Sequence, residues 1–458
     1  MLEINGTQER PNHLKIVPPS FGPIELEMRA KLSKLVGTKY VDTFDWSIYD
    51  KIAARYGDNQ PRGGVVFKSS LKLVNFHTSC NKCHYAFEVD SYGRGCIHDC
   101  VYCYAKDILT KHGYWNRPMP FPIDLSELRK VFYQVFETDK PSKWRSIMSK
   151  KIPLRIGSMS DSFMHMDKKY KVTLELLNIL NYYNYPHIIF TRSDLVADDM
   201  YMSKLRKDLV SVQFSISGDN DVLVKKLEPG APSVARRLTA LSKLNHQGFW
   251  TTARVNPMFP EYPDGYYSDL PSIKLRFGSK ENCPRLDLIT PEFLPKLKEA
   301  GVPSLLAGFV RLSPAAIKSM SNALNLDLKS FFKPELYSLN ADKRYSDSEI
   351  AVYYMKMKTE AAKNGIRFNT CYIGNGEKDY YQYQDLWDNK GDCCDARGNV
   401  NSFDQTSQVV PWEERIKHSP HKCLAQDSMK QDKEFREKYS SVLSKYEKQQ
   451  LPLPEIEL

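Results

Sequence analysis

The chain has 458 residues, 41% hydrophobic and 26% charged, the proportions of a globular protein with room for one full core and decorations. Lys and Arg number 65 against 55 Asp and Glu, a net charge of +10 that favours polyanionic partners, although no Lys/Arg block is dense enough to mark a binding segment. No run of about 18 apolar residues offers a membrane span, and the opening MLEINGTQERPNHLK lacks the apolar stretch of a secretory signal, so the expected setting is a reducing cytoplasm where cysteines serve as thiols or ligands.

Residues 1–85 read as an N-terminal extension of short helical patterns and proline-broken loops, closing on Cys80, Cys83 and His84 with metal-ligand spacing. From about residue 150 short apolar runs alternate with amphipathic ones, which predicts βα units and a parallel sheet. Strands are expected at 153–158, 187–192, 210–217, 249–255 and 304–310, with one more before residue 96. Helices are expected at 167–183, 198–208, 233–247 and 290–300, the third opening at Pro232 and Ser233 with Glu228 facing the mouth of the sheet. The stretch 259–287 is too long for an ordinary βα loop and reads as a lid or substrate-contacting insertion. Residues 313–458 form a C-terminal extension with helices at 313–326 and near 347–364, a strand-like IRFNTCY, and a tail that places Phe435, Tyr439, Val442 and Tyr446 on one helical face.

The chain is organised around GRGCIHDCVYCYAKD, in which Cys96, Cys100 and Cys103 are separated by three residues and then by two. Three thiolates on one short loop suit three irons of a 4Fe-4S cubane and leave the fourth iron open to another ligand. Gly93 and Gly95 let the backbone curl before the first cysteine. Zinc fits less well because it wants four ligands, commonly as two pairs. His98 and Asp99, inside the loop, are expected simply to fit around the cluster.

This loop, with Tyr102 before its last cysteine, resembles that of the radical S-adenosylmethionine (SAM) enzymes. YGRGC followed by CVYCYA and, far downstream, by LEPGAPS is similar to the branch around spore photoproduct lyase over roughly residues 85–312. The resemblance implies an α/β fold, a partial (βα)6 TIM-type radical SAM barrel over 86–312 between the two extensions. It further implies a cluster on Cys96, Cys100 and Cys103, with SAM chelated at the open iron and cleaved to a 5'-deoxyadenosyl radical. Residues placed by the resemblance to grip that cofactor are Tyr102, Ser160, Asp161, Arg192, Ser215, Arg254 and Asn256, with Arg192 suited to the carboxylate. The lyases carry a hydrogen-donating cysteine where this chain has Ser158, which argues against dimer reversal and for modification or rearrangement of a nucleobase in DNA or a nucleotide-like substrate. An electron donor such as flavodoxin or ferredoxin is implied as a partner.

Seven cysteines lie outside the loop. Cys371, Cys393, Cys394 and Cys423 suffice for a second iron-sulfur cluster, with Cys80 and Cys83 as substitutes; structural zinc with His84, His418 or His421 and plain thiols are the competing uses. Cys283 stands alone as a candidate hydrogen-atom or electron relay. A second cluster would suit the rival reading of a peptide or tRNA substrate. The reading of another class is a zinc-binding nucleic-acid module without catalysis.

Overall fold

A computed structural model of the chain describes residues 88–93, 95–111, 115, 120–123, 125–142, 144–149, 151, 153–259, 286–331, 347–371, 383–389 and 393–396. Cys80, Cys83, His84, Cys283, His418, His421, Cys423, most of the 259–287 insertion and the 427–449 tail lie outside them.

In chain order the elements are β1 (Glu88–Val89), β2 (Tyr92–Gly93), α1 (Tyr104–Lys111), β3 (Phe121–Pro122), α2 (Leu125–Phe136), α3 (Arg145–Met148), β4 (Leu154–Ile156), α4 (Asp167–Tyr170), α5 (Val172–Tyr182) and β5 (His187–Thr191). They continue with α6 (Asp199–Met202), β6 (Val210–Ser215), α7 (Asp221–Leu227), α8 (Val234–His246), β7 (Trp250–Met258), α9 (Phe293–Glu299), β8 (Ser304–Phe309), α10 (Pro314–Leu324), α11 (Asp347–Lys363) and β9 (Arg367–Thr370). Seven strands form one sheet in the order β1-β4-β5-β6-β7-β8-β9, every pair parallel. Sequential parallel order with helical crossovers is that of an open, partial α/β barrel. Strands β2 and β3 pair antiparallel outside it.

Register sorts the residues by face, since parallel partners point the same way. Ile156, Ile189, Val212, Ala253, Leu305 and Phe368 lie on the helix-covered face and join one apolar core with Leu176, Leu180, Leu241, Leu244 and Tyr354. On the opposite, inner face Ile188 and Leu306 pack against Trp387, Cys393, Cys394 and Ala396. The short segment 393–396 is thus a plug inside the curve of the sheet. The Gln213 amide donates to the Cys394 carbonyl (3.0 Å) and the Trp250 indole to the Asp395 carbonyl (2.7 Å). The sheet also gains β9, so a seventh strand comes from beyond residue 312.

Helix starts follow their caps: the Ser233 hydroxyl accepts from the Arg236 N–H, the Asn220 amide oxygen from the Leu223 N–H, and Ser313 from the Ala316 N–H with Pro314 in the first turn. Two expected helices are shorter. The 167–183 helix is split where Lys171 turns left-handed (φ 56°), and the 198–208 helix, capped by Asp198 at its expected start, ends after one turn at Met202.

Candidate functional site

The three-cysteine loop leaves β2 and lies over the carboxyl ends of the strands. Two elements clamp it. The Val101 N–H donates to the Leu227 carbonyl (2.9 Å), and the Gly230 N–H donates to the His98 carbonyl (2.9 Å). Gly230 approaches so closely that an added Cβ would stand 1.8 Å from the Ile97 carbonyl oxygen. On the other side the loop after β4 is fixed by Asp90, whose carboxylate accepts from the N–H groups of Gly157 (3.0 Å), Ser158 (2.7 Å) and Met159 (3.0 Å). Gly157 itself has φ 92°, and a Cβ there would meet the Phe190 carbonyl at 2.0 Å.

The sulfurs receive donors suited to thiolate. Arg192 Nη1 lies 3.1 Å from Cys100 Sγ, and the Lys106 N–H, in the first turn of α1, points at Cys103 Sγ from 3.5 Å. Burial pushes the Cys96 thiol up to about 12, with the Asp161 charge adding to it, and burial also raises Cys100, against the pull of Arg192. Cys96 and Cys100, held as thiols by burial, ionise only with positive charge set beside them, which a metal cluster supplies. Among the described residues no three His, Cys, Asp or Glu side chains converge on a point fit for a single metal ion. A cubane instead offers a separate iron to each sulfur, and the donor set fits that group.

Beneath the loop lies a buried charge cluster that sequence reading did not find. Glu228 is 1% exposed, and its Oε1 takes an ion pair from Arg192 Nη1 (2.9 Å) and a hydrogen bond from the Tyr102 hydroxyl. Its Oε2 lies 2.5 Å from Arg237 Nη2, an ion pair held by charge and not by hydrogen-bond angle, while Arg237 Nε donates to the Pro232 carbonyl (2.9 Å). Burial works against the Glu228 carboxylate, yet Arg237 and then Arg192 overcome it and hold the group at about 2. Glu228 therefore sits under the loop and does not face the open mouth. A signal was there to be read: Arg237 falls on the apolar stripe Val234, Ala240, Leu241, Leu244 of α8, and a guanidinium in such a stripe demands a buried carboxylate.

His98 is likewise more than filler. It is 1% exposed, with Nε2 3.1 Å from Asp161 Oδ2 and Nδ1 3.4 Å from the Gly230 carbonyl. Asp161 also accepts from the Thr191 hydroxyl (2.8 Å) and the Arg192 N–H (2.8 Å), tying the cysteine loop to the end of β5. Ser160 donates to the Gly95 carbonyl (2.8 Å).

All seven residues expected to grip a nucleoside cofactor thus lie in the cysteine loop or at the carboxyl ends of β4 to β7, with differing freedom. Tyr102 is 7% exposed and its ring meets Phe259 edge-on (centroids 6.2 Å). Burial raises its phenol against the lowering pull of Arg192, so the hydroxyl keeps its proton and donates a hydrogen bond to Glu228. Ser215 is half-buried, its carbonyl 3.4 Å from Arg237 Nη1. Arg254 stacks 4.5 Å over the Phe190 ring and donates to Gln213 Oε1 (2.7 Å). Asn256, half-buried before a cis Pro257, fills the space beside Gly308. Ser158, expected from the sequence resemblance to replace a hydrogen-donating cysteine, has its Oγ buried without a hydrogen-bond partner among the described residues.

Arg254 also faces the other cysteines. Its Nη2 lies 3.9 Å from Cys371 Sγ, and Cys371 packs against the cluster that holds Cys393 and Cys394. The plug and the end of β9 thereby bring together three of the four C-terminal cysteines singled out in the sequence.

No family model matches the chain. An uncharacterized protein of Methanocaldococcus jannaschii is 29% identical over 175 residues, 38% of this chain and 61% of its own length. Another, from Acidianus two-tailed virus, is 26% identical over 170 residues, 36% of this chain and 54% of its own. The match thus spans a little over half the length of these curated relatives. Among solved structures, a mutant spore photoproduct lyase superposes with TM-score 0.44 and 16% identity, covering 72% of this chain and 94% of that one. Streptococcus suis SuiB bound to its precursor peptide SuiA gives 0.38 and 12%, over 79% and 68%.

Proposed function

We propose that the protein is a radical SAM enzyme that holds a 4Fe-4S cluster on Cys96, Cys100 and Cys103. The observation that carries this reading is a doubly clamped three-cysteine loop over the carboxyl ends of a sequential parallel sheet, with N–H donors aimed at two of its sulfurs. When bound and reduced, the cluster supplies the electron that splits SAM into methionine and a 5'-deoxyadenosyl radical. The chain's own work is to bind, aim and dry. Leu227 and Gly230 fix the cysteine loop, Asp90 fixes the turn after β4, Tyr102 and Phe259 exclude water, and Ser215, Arg254 and Asn256 offer polar groups toward a nucleoside.

The substrate in this reading is a nucleobase in DNA or a related nucleotide, altered and not cleaved from a dimer. Its supports are the +10 charge and the serine at 158. A serine O–H is too strong a bond to return a hydrogen atom readily, so a product radical that rearranges or is functionalised suits it better than one that is quenched. The electrons would come from a flavodoxin or ferredoxin.

A second reading, a peptide or tRNA substrate with an auxiliary cluster, is favoured by the packing of Cys371 against the cluster that holds Cys393 and Cys394. Iron counting on anaerobically purified protein tests both readings. The unsubstituted chain should carry about four irons per cubane, and the Cys96→Ala/Cys100→Ala/Cys103→Ala variant none. Iron retained in the triple variant supports the auxiliary centre; a colourless, zinc-loaded unsubstituted protein refutes the enzyme reading.

A further inference from the structure

Arg192 stands where a cation would suit the carboxylate of SAM, but its guanidinium is already committed. Nη1 lies 3.1 Å from Cys100 Sγ, 2.9 Å from the Tyr102 hydroxyl and 2.9 Å from Glu228 Oε1, and its side chain is 18% exposed. Glu228 in turn is shared with Arg237, both 1% exposed. Two guanidiniums and one carboxylate sum to a net charge of +1 (two positive, one negative), packed under one sulfur of the loop. Buried charge is poorly screened, so this cluster acts on the sulfur far more strongly than a surface pair would.

We propose that Arg192, positioned by Glu228, is the group that sets the reduction potential of the cluster, by hydrogen-bonding the Cys100 sulfur, and that it does not clamp the SAM carboxylate. The inference rests on the cluster reading above. Reduction adds an electron and so a negative charge to the cluster. A cation and an N–H donor at a ligand sulfur favour that state and raise the potential. Glu228 moderates the effect by neutralising part of the positive charge. Arg192 is therefore a positioning and tuning residue, acting through Cys100.

The charge count gives substitutions of opposite sign. Arg192→Gln takes the cluster of side chains from +1 to zero and should lower the potential. Glu228→Gln takes it to +2 and should raise it. Arg192→Lys keeps the charge without the planar fork and should fall between the unsubstituted protein and Arg192→Gln.

The experiment is an EPR-monitored redox titration of the anaerobic holoprotein without SAM, paired with SAM binding to each variant. Opposed shifts, with SAM affinity nearly kept in Arg192→Gln, are the expected result. Unshifted or same-direction potentials overturn the proposal, as does a SAM affinity weakened by about tenfold or more at an unchanged potential, which is what loss of a carboxylate clamp would give. If Arg192→Gln holds no iron, Arg192→Lys decides: a potential equal to that of the unsubstituted protein would leave Arg192 a structural role only and overturn the proposal. An unsubstituted protein with no cluster signal defeats the proposed function itself; a normal signal with unmoved potentials defeats this inference alone.

Discussion

His187 opens β5 with its ring fully buried, Nδ1 3.1 Å from the Tyr185 carbonyl and Nε2 without a hydrogen-bond partner among the described residues. Burial, only partly offset by that carbonyl, holds the imidazole at about 4, so the native state keeps it neutral. The unfolded chain has an ordinary histidine near 6.5 and takes up a proton first as pH falls. Stability is therefore unaffected above about pH 6.5 and is lost between there and about 4, at roughly 1.4 kcal/mol per pH unit. Urea unfolding at pH 7 and pH 5 should show the parent protein losing roughly 2 kcal/mol more than a His187→Phe variant; equal losses would mean the ring is hydrated. No sequence pattern distinguishes this histidine from His98, since each needs its surroundings to be known. The same holds for Glu228 and Arg192, which lie 36 positions apart and meet only in the fold.

At the level of elements, the three-then-two spacing of the cysteines and the alternation of apolar runs with helical ones were legible because each is local. Strands β4 to β8 fall within a few residues of the expected bounds for that reason. The clamp between the cysteine loop and the turn after α7 was not legible, because the contact joins Ile97 and His98 to Gly230 across more than a hundred positions. LEPGAPS read as a helix-start loop, and it is one, with Ser233 as cap. Its second role depends on the missing Cβ at Gly230, which leaves room for the Ile97 carbonyl. Gly230→Ala must push two backbones apart, an overpacking cost of roughly 1–3 kcal/mol concentrated on the cysteine loop. The variant should keep its far-ultraviolet dichroism while losing most of its cluster absorbance; full iron loading would show that the clamp does not shape the loop.

Taken as a whole molecule, the protein curves a parallel sheet around a plug from its own C-terminal region and sets its cysteine loop over the open end. The strand-like IRFNTCY was legible and is β9, but its place as the seventh strand of the sheet and the plug were not, because they rest on contacts with partners distant in the chain: Cys371 with Arg254, Cys394 with Gln213, Asp395 with Trp250. The net charge of +10 belongs to this scale as well. If DNA is the substrate, its affinity should fall steeply as salt rises, since binding releases condensed counterions with a slope of about −0.9 per phosphate contacted. A flat dependence in a filter-binding or anisotropy titration would point to a small substrate. A base must also leave the stack to reach a radical made at the mouth of the sheet, so damaged, modified or single-stranded sites should react ahead of plain duplex.

The central claim concerns what the three thiols hold and what it does. Anaerobic protein, reduced with dithionite and given SAM, should release 5'-deoxyadenosine, identified by mass, and the Cys100→Ala variant should release none. Undiminished 5'-deoxyadenosine from Cys100→Ala, or none from an iron-loaded unsubstituted protein, would contradict the account.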